Sequence, residues 1–204
     1  MSEWIESPLE DLVVSPITYG VVKPGPEKEN GVRFVRGGDI SNGKVAISKL
    51  RTISDEVSQQ YSRTLLRGNE LLISLVGNPG QVAIAPKELA GANIARQVGL
   101  IRLSDQISTH FVQYFFMSSI GKGELFRQTG GSVQQVINLK ELRTVKVPLP
   151  PLPEQRAIAK VLSSLDDKID LLHRQNETLE ALAQTLFRQW FVEEAEDDWE
   201  EKPL

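Results

Sequence analysis

The hydrophobic rhythm of the chain changes once, and the change falls at a run of prolines. Before it, short apolar runs recur: VRFVR (32–36), KVAIS (44–48), LLISLV (71–76), QVAIA (81–85) and VGLIRL (98–103). Rich in β-branched residues and separated by RGGD, SNG and GNPG, they read as strands. LLISLV-GNPG-QVAIA predicts two strands about a Gly-Pro turn, and its mostly apolar character predicts burial. STHFVQYFFMSSI (108–120), with Phe111, Tyr114, Phe115 and Met117, predicts a packed helix. No internal repeat is visible in this part.

After the prolines the period becomes seven. Ile158, Leu162, Leu165, Ile169, Leu172, Asn176, Leu179, Ala183, Leu186 and Trp190 alternate gaps of four and three. That is the a/d pattern of a coiled coil. No Gly or Pro falls within 154–192, and charged and amide side chains fill much of the outer face. Such a helix would extend roughly 55–60 Å. Residues 1–150 offer no helix of matching length, so the expected partner is a second copy or another protein with a similar helix. Asn176 interrupts the seam, and two readings stand: a buried polar residue that fixes register, or a place where the seam relaxes toward solvent. Trp190 and Phe191 read as packing residues.

Between the two rhythms lies PLPPLPEQRAIAKVL, with Pro148, Pro150, Pro151 and Pro153 inside six residues. Dense prolines hold an extended path, and Pro153 suits the first turn of a helix, where its missing N–H is not needed. The stretch predicts a rigid joint. The expected fold class is therefore α+β: a mixed α/β domain over 1–150, one long coiled-coil helix over 151–192, and an acidic tail over 193–204, expected to be solvated and disordered.

Composition narrows the chemistry. The 204 residues suit one moderate domain with an appendage. The absence of cysteine excludes disulfides, thiolate zinc sites and thiol nucleophiles, and fits a cytoplasmic protein. MSEWIESPLEDLVV carries no basic n-region and no long apolar run, so no signal peptide is expected. No stretch reaches the length of a membrane span. Residues 1–150 hold 17 of the 23 Lys and Arg and 14 of the 27 Asp and Glu, a balance of +3. Residues 151–204 hold the other 6 and 13, a balance of −7, and 193–201 alone supply seven acidic residues. A mildly basic front is a weak pointer to nucleic acid.

Enzymatic motifs are missing. There is no Walker A loop and no His-Glu-x-x-His helix, and no Gly-x-Ser-x-Gly elbow. GKGEL (121–125) lacks the third glycine and preceding strand of a nucleotide loop and reads as a turn. GNPG (77–80) lacks the second proline and the aromatic of an amino-methyltransferase loop. His110 and His173 are far apart in sequence, and Asp39 and Glu70 have no visible partner there. No metal site is expected, no cofactor in this chain, and no catalytic residue.

VPLPPLPEQRAIAKVLSSLDDKIDLLHRQNETLEALAQTLFRQWF resembles the conserved spacer of specificity subunits from type I restriction-modification systems. The proline approach, the Pro-Glu-Gln helix start at 153–155 and the following Ile-Ala-x-x-Leu carry the likeness. FVRGGDIS (34–41), GNELLISLVGNPGQVAIA (68–85), TGGSVQQVINLKEL (129–142) and VKVPLP (145–150) resemble pieces of that family's target-recognition domain. A full member alternates two such domains with two spacer helices, whereas this sequence has one of each and looks like a half-subunit. Such a half is either naturally short or one piece cut from a longer subunit; the Met1 start and short acidic ending point toward the complete reading frame.

The resemblance implies a non-catalytic protein that binds double-stranded DNA. Its implied partners are a methylation subunit, which holds S-adenosylmethionine, and a motor nuclease restriction subunit. Two copies paired antiparallel as a homodimer through the helix would read an interrupted palindrome. The alternative is a decoy half-subunit that sequesters methylation subunits. Leu171, Leu182 and Phe187, off the main seam, either contact the methylation subunits or widen the stripe within the pair. DNA-contact candidates, chosen because Arg, Lys, Asn, Gln and Ser on loops can reach bases or phosphates, are Arg36, Asn78, Arg96, Gln97, Arg127, Ser132, Gln134, Gln135 and Lys140. For Arg36 a strand-end salt bridge is the competing reading, and for Asn78 a role in shaping the turn.

Overall fold

The computed structural model describes residues 4–127 and 136–194. The chain divides into two compact units, Met1–Lys160 and Val161–Leu204. The strands are β1 (Ile5–Pro8), β2 (Thr18–Tyr19), β3 (Val32–Val35), β4 (Ile40–Ser41), β5 (Lys44–Val45), β6 (Arg51–Ile53), β7 (Leu71–Ser74), β8 (Val82–Ile84), β9 (Asn93–Ile94), β10 (Val98–Ile101) and β11 (Lys146–Leu149). The helices are α1 (Asp55–Gln60), α2 (Thr109–Met117), α3 (Ser119–Phe126), α4 (Leu139–Thr144) and α5 (Leu152–Arg188). The fold class is α+β, with one long helix following a strand-rich domain.

The first unit is organised about an antiparallel sheet in the order β2-β10-β7-β8. Period-two alternation sends Leu71, Ile73, Val82 and Ile101 into one core with Phe111, Val112, Phe116 and Val147. Leu72, Ala83, Val98 and Leu100 enter a second core with Val35, Ile40, Leu89 and Ile94. Burial on both faces is why LLISLV and QVAIA read as unbroken apolar runs rather than alternating ones. The hairpin is the one expected, with Leu72 opposite Ala83. A smaller sheet, β6-β3-β9, buries Phe34 and Ile53 with Val21 and Ala95. Beside it the fully buried Asn93 accepts from Thr64 Oγ1 at 2.7 Å and donates to Ser58 and Tyr61.

Three local expectations are corrected. The helix expected over 108–120 stops at Met117, where Ser118 closes α2 through Phe115 O at 2.6 Å and caps α3 by accepting from Gly121 N at 3.1 Å. GKGEL is not a turn but the middle of α3. A Cβ on Gly121 would stand 2.0 Å from Phe115 O, so glycine is what lets the second helix fold tightly onto the first. KVAIS yields only the two-residue β5, followed by a 3-10 turn, Ile47–Lys49.

The joint is built at the base of this unit. β1 pairs antiparallel with β11, Ile5 opposite Leu149, directly before the prolines. Pro148 lies in this two-stranded ribbon, where an edge tolerates its missing donor. α5 begins at Leu152 with Pro153 in its first turn. Gln155, only 2% exposed, donates from Nε2 to Pro150 O at 2.9 Å and accepts at Oε1 from Ser108 N at 2.9 Å. Ala159 is buried in the first core and Ile158 packs against it.

Gln155→Leu keeps most of the volume but strips partners from a buried carbonyl and from the N-cap amide of α2. It is expected to cost about 2–4 kcal/mol, read as a lower urea midpoint. A loss below about 0.5 kcal/mol would mean that the amide lock contributes little.

Candidate nucleic-acid interface and pairing helix

Three turns of the first unit meet at one end of the central sheet. The first, Arg36–Asp39, follows β3 as a 3-10 turn. The second is the β7–β8 loop, Val76–Gly80, whose Gly77 (φ +90°) and Gly80 (φ +84°) take left-handed backbone that side chains resist. The third is the Arg96–Gln97 turn between β9 and β10. Gly37 is the contact point: a Cβ there would lie 2.9 Å from Ser74 Oγ, 3.3 Å from Val76 O and 3.5 Å from Gln97 Cβ. Leu75 N donates to Gln97 O at 2.8 Å, tying the second turn to the third.

The sequence candidates distribute unevenly over this site. Arg36, Asn78, Arg96 and Gln97 lie on these converging turns, all four exposed. Arg127, at the end of α3, forms an ion pair with Glu124. Lys140 is exposed on α4, which packs on the Leu9–Leu12 turn. Ser132, Gln134 and Gln135 lie outside the described residues, as does most of the acidic tail. The described flanks of 128–135 do reach the cluster: Phe126 abuts Gly80, and Ile137 N donates to Leu75 O at 3.0 Å.

Two carboxylates without a visible sequence partner have one in space. Asp39 receives Arg36 N, Nε and Nη2 at 2.8, 3.1 and 3.0 Å. These hydrogen bonds, then the carboxylate charge, raise the Arg36 pKa further above its ordinary value, so its cation is permanent. The signal was present as Arg-x-x-Asp, the spacing of one turn. Glu70 takes Arg67 N at 2.7 Å and Arg102 Nε at 3.4 Å. Arg102 is 32 residues away, and no local pattern announces it.

Along α5 the seam residues have different environments. Ile158 packs with the first unit's core. Leu162 and Leu186 are half-buried. Leu165, Ile169, Leu172, Asn176, Leu179, Ala183 and Trp190 are exposed, Leu165 and Leu179 by 55% and 61%. The off-seam Leu171, Leu182 and Phe187 are exposed as well, and the Phe187 ring stacks on Phe191 at 5.0 Å. The helix ends in a π turn, Gln189–Glu193. Among the described residues no helix is long and apolar enough to cross a membrane, and no cluster of three metal-ligating side chains occurs.

A strand-rich domain with clustered loops, followed by one long amphipathic helix, defines a two-part protein. Residues 1–181 match the type I restriction modification DNA specificity domain, and the chain belongs to that family. It is 31% identical over 176 residues to the specificity subunit of the type I restriction enzyme EcoBI of Escherichia coli, covering 85% of this chain and 37% of that protein. The MjaVIII specificity subunit of Methanocaldococcus jannaschii is 27% identical over 157 residues, covering 74% of this chain and 37% of that protein. Solved structures show the same fold. The HsdS subunit of Thermoanaerobacter tengcongensis superposes with a TM-score of 0.62 at 17% identity, over 99% of this chain and 52% of that one. A chain from an assembly of a type I R-M system gives 0.69 at 22% identity, over 98% and 47%. The chain thus spans about half the length of these solved chains and 37% of the two curated relatives.

Gly37→Ala would force the first turn away from Ser74 and Val76, and is expected to lower stability by about 1–3 kcal/mol. Gly38→Ala has open space around its Cβ and should stay within about 0.5 kcal/mol of the parent. Thermal unfolding compares the two directly. Equal midpoints would show that the turns are not held against one another.

Proposed function

We propose that this chain is a half-length, non-catalytic DNA-specificity subunit that acts as a homodimer and reads a bipartite, palindromic site. One observation carries the reading: in a chain of this family the seam from Leu165 through the end of α5 to Trp190 of the π turn is exposed in a single copy at every position but the half-buried Leu186. An apolar stripe of that length and heptad spacing calls for a second helix. A methylation subunit with its S-adenosylmethionine would supply the chemistry, and a restriction subunit the cleavage.

Charge favours the antiparallel direction. Residues 193–201 hold seven acidic side chains and no basic one. Parallel helices would set two such segments side by side. Antiparallel helices part the two Glu193 residues, where the acidic segments begin, by roughly 45 Å of helix, several Debye lengths. Pairing the open seam on itself sets Leu165 opposite Trp190, Ile169 opposite Leu186, Leu172 opposite Ala183 and Asn176 opposite Leu179. Twofold symmetry then puts one recognition domain at each end, and two identical readers demand an inverted repeat with an unread gap between its halves.

Co-expressed with a cognate methylation subunit in a host lacking adenine methylation, the chain is expected to direct modification to an interrupted palindrome, mapped by long-read sequencing. An asymmetric bipartite site would overturn the homodimer. A stable complex that leaves DNA unmethylated and blocks a full-length subunit would replace the reading with the decoy.

The chain has no cysteine, so pairing can be read covalently. Leu165→Cys copies mixed with Trp190→Cys copies should form a disulfide-linked dimer on oxidation, and neither variant should do so alone. Self-linked Trp190→Cys would instead mean parallel helices.

A further inference from the structure

We propose that Arg36 grips a pair of acceptor atoms on DNA with the free edge of its guanidinium, and that Asp39 is the residue that positions it. This rests on the specificity-subunit reading and names a contact within it. A guanidinium offers two forks of parallel N–H donors, one along Nε and Nη2 and one along Nη1 and Nη2. Asp39 occupies the first, Oδ2 on Nε at 3.1 Å and Oδ1 on Nη2 at 3.0 Å. The second makes no hydrogen bond among the described residues, with the Glu27 carboxylate acting on the guanidinium only through its charge, and the Arg36 side chain is 45% exposed.

The carboxylate is itself held. Asp39 is 8% exposed, its Oδ2 takes the Arg36 backbone N–H at 2.8 Å, and its carbonyl accepts from Ala46 N at 2.8 Å. That backbone bond fixes the turn with any residue at position 36. The guanidinium is therefore surplus to the turn, and a half-exposed ion pair adds little stability. What it does add is a cation with most of its torsional freedom already removed, which lowers the entropy lost on binding. It stands beside Gly37, where the Val76 and Gln97 turns converge.

A free fork of this geometry matches two in-plane acceptors. On DNA these are O6 and N7 of guanine, or two oxygens of one phosphate. The chemistry is shared, and substitution separates the sources.

The experiment measures binding of the complex of full chain and methylation subunit to two double-stranded oligonucleotides, one carrying the mapped methylation site and one scrambled. Arg36→Ala is expected to weaken binding to the site roughly 5- to 150-fold with an unchanged unfolding midpoint. Asp39→Asn keeps an acceptor for the backbone N–H but loosens the fork, and should give a smaller loss in the same direction, again without a change in midpoint. If the acceptor is guanine, the loss is confined to one G·C position and Arg36→Lys does not restore it. If it is phosphate, the loss is equal on both duplexes, the salt slope falls by about 1, and Arg36→Lys restores much of the affinity. Site binding unchanged in Arg36→Ala overturns the contact. Parent-like binding by Asp39→Asn, where Arg36→Ala is weak, overturns the positioning role. A parent complex that does not distinguish the two duplexes refutes the specificity reading itself, a separate outcome.

Discussion

The buried amide of Gln155 is the constraint on which the rest depends. A proline-rich approach removes N–H donors but leaves every carbonyl, and a buried carbonyl without a partner is costly. Gln155 answers for Pro150 O with its Nε2 and, with its Oε1, for the N-cap amide of α2. The first turn of α5 is thereby joined to the strand that precedes it and to the helix beside it. β1 closes the same region by pairing with β11, so the first unit is completed where α5 begins. Two hydrogen bonds from a side chain that is 2% exposed hold the first turn of α5 within the first unit.

At the other working end, structural duty falls mostly on backbone. Leu75 N meets the carbonyl of Gln97, Ile137 N meets that of Leu75, and Gly80 N meets that of Ser74. Gln97, Asn78 and Arg96 keep exposed side chains on turns whose main chain is already satisfied. Behind them stands a sheet packed on both faces, with interiors that resist deformation. Such an arrangement can exchange its exposed side chains while the frame stays put. Arg36 differs from its neighbours because its side chain already has a structural partner.

How legible these features were in the sequence follows from which forces act locally. The β7–β8 hairpin could be read because double-sided burial makes apolar runs that a turn of glycines interrupts. The long helix could be read because its seven-residue period persists for more than thirty residues. β1 gave no signal: IESP is short, and its Ile5 is 72% exposed, with a pairing partner 144 residues away. The two-residue strands β2, β4 and β9 are defined by non-local or edge pairing rather than by their own propensity. GKGEL misled because glycine usually breaks helices, and only the packing of α3 on α2 explains Gly121. In the site, the individual Arg, Asn and Gln candidates were visible, while their meeting at Gly37 depends on contacts across the fold. Gln155 falls within the legible helix start, but its role as the lock has no local signal, since nothing in the neighbouring sequence marks a glutamine as buried.

The two ends of α5 are built differently, and the difference gives the helix a defined length. At its start the seam is already engaged, because Gln155, Ile158 and Ala159 face the first unit's core. At its end the π turn closes with Glu194 N on Gln189 O at 2.8 Å, and the Gln189 amide returns to Glu194 Oε1 at 2.7 Å. A π turn inserts an extra residue into the helical repeat, so the heptad phase does not continue past Trp190. Acidic residues Glu193 and Glu194 follow directly. The stretch with correct phase and exposed apolar side chains therefore runs only from Leu165 to Trp190. The open stripe is thus bounded by the first unit's core at one end and by a phase break with charge at the other.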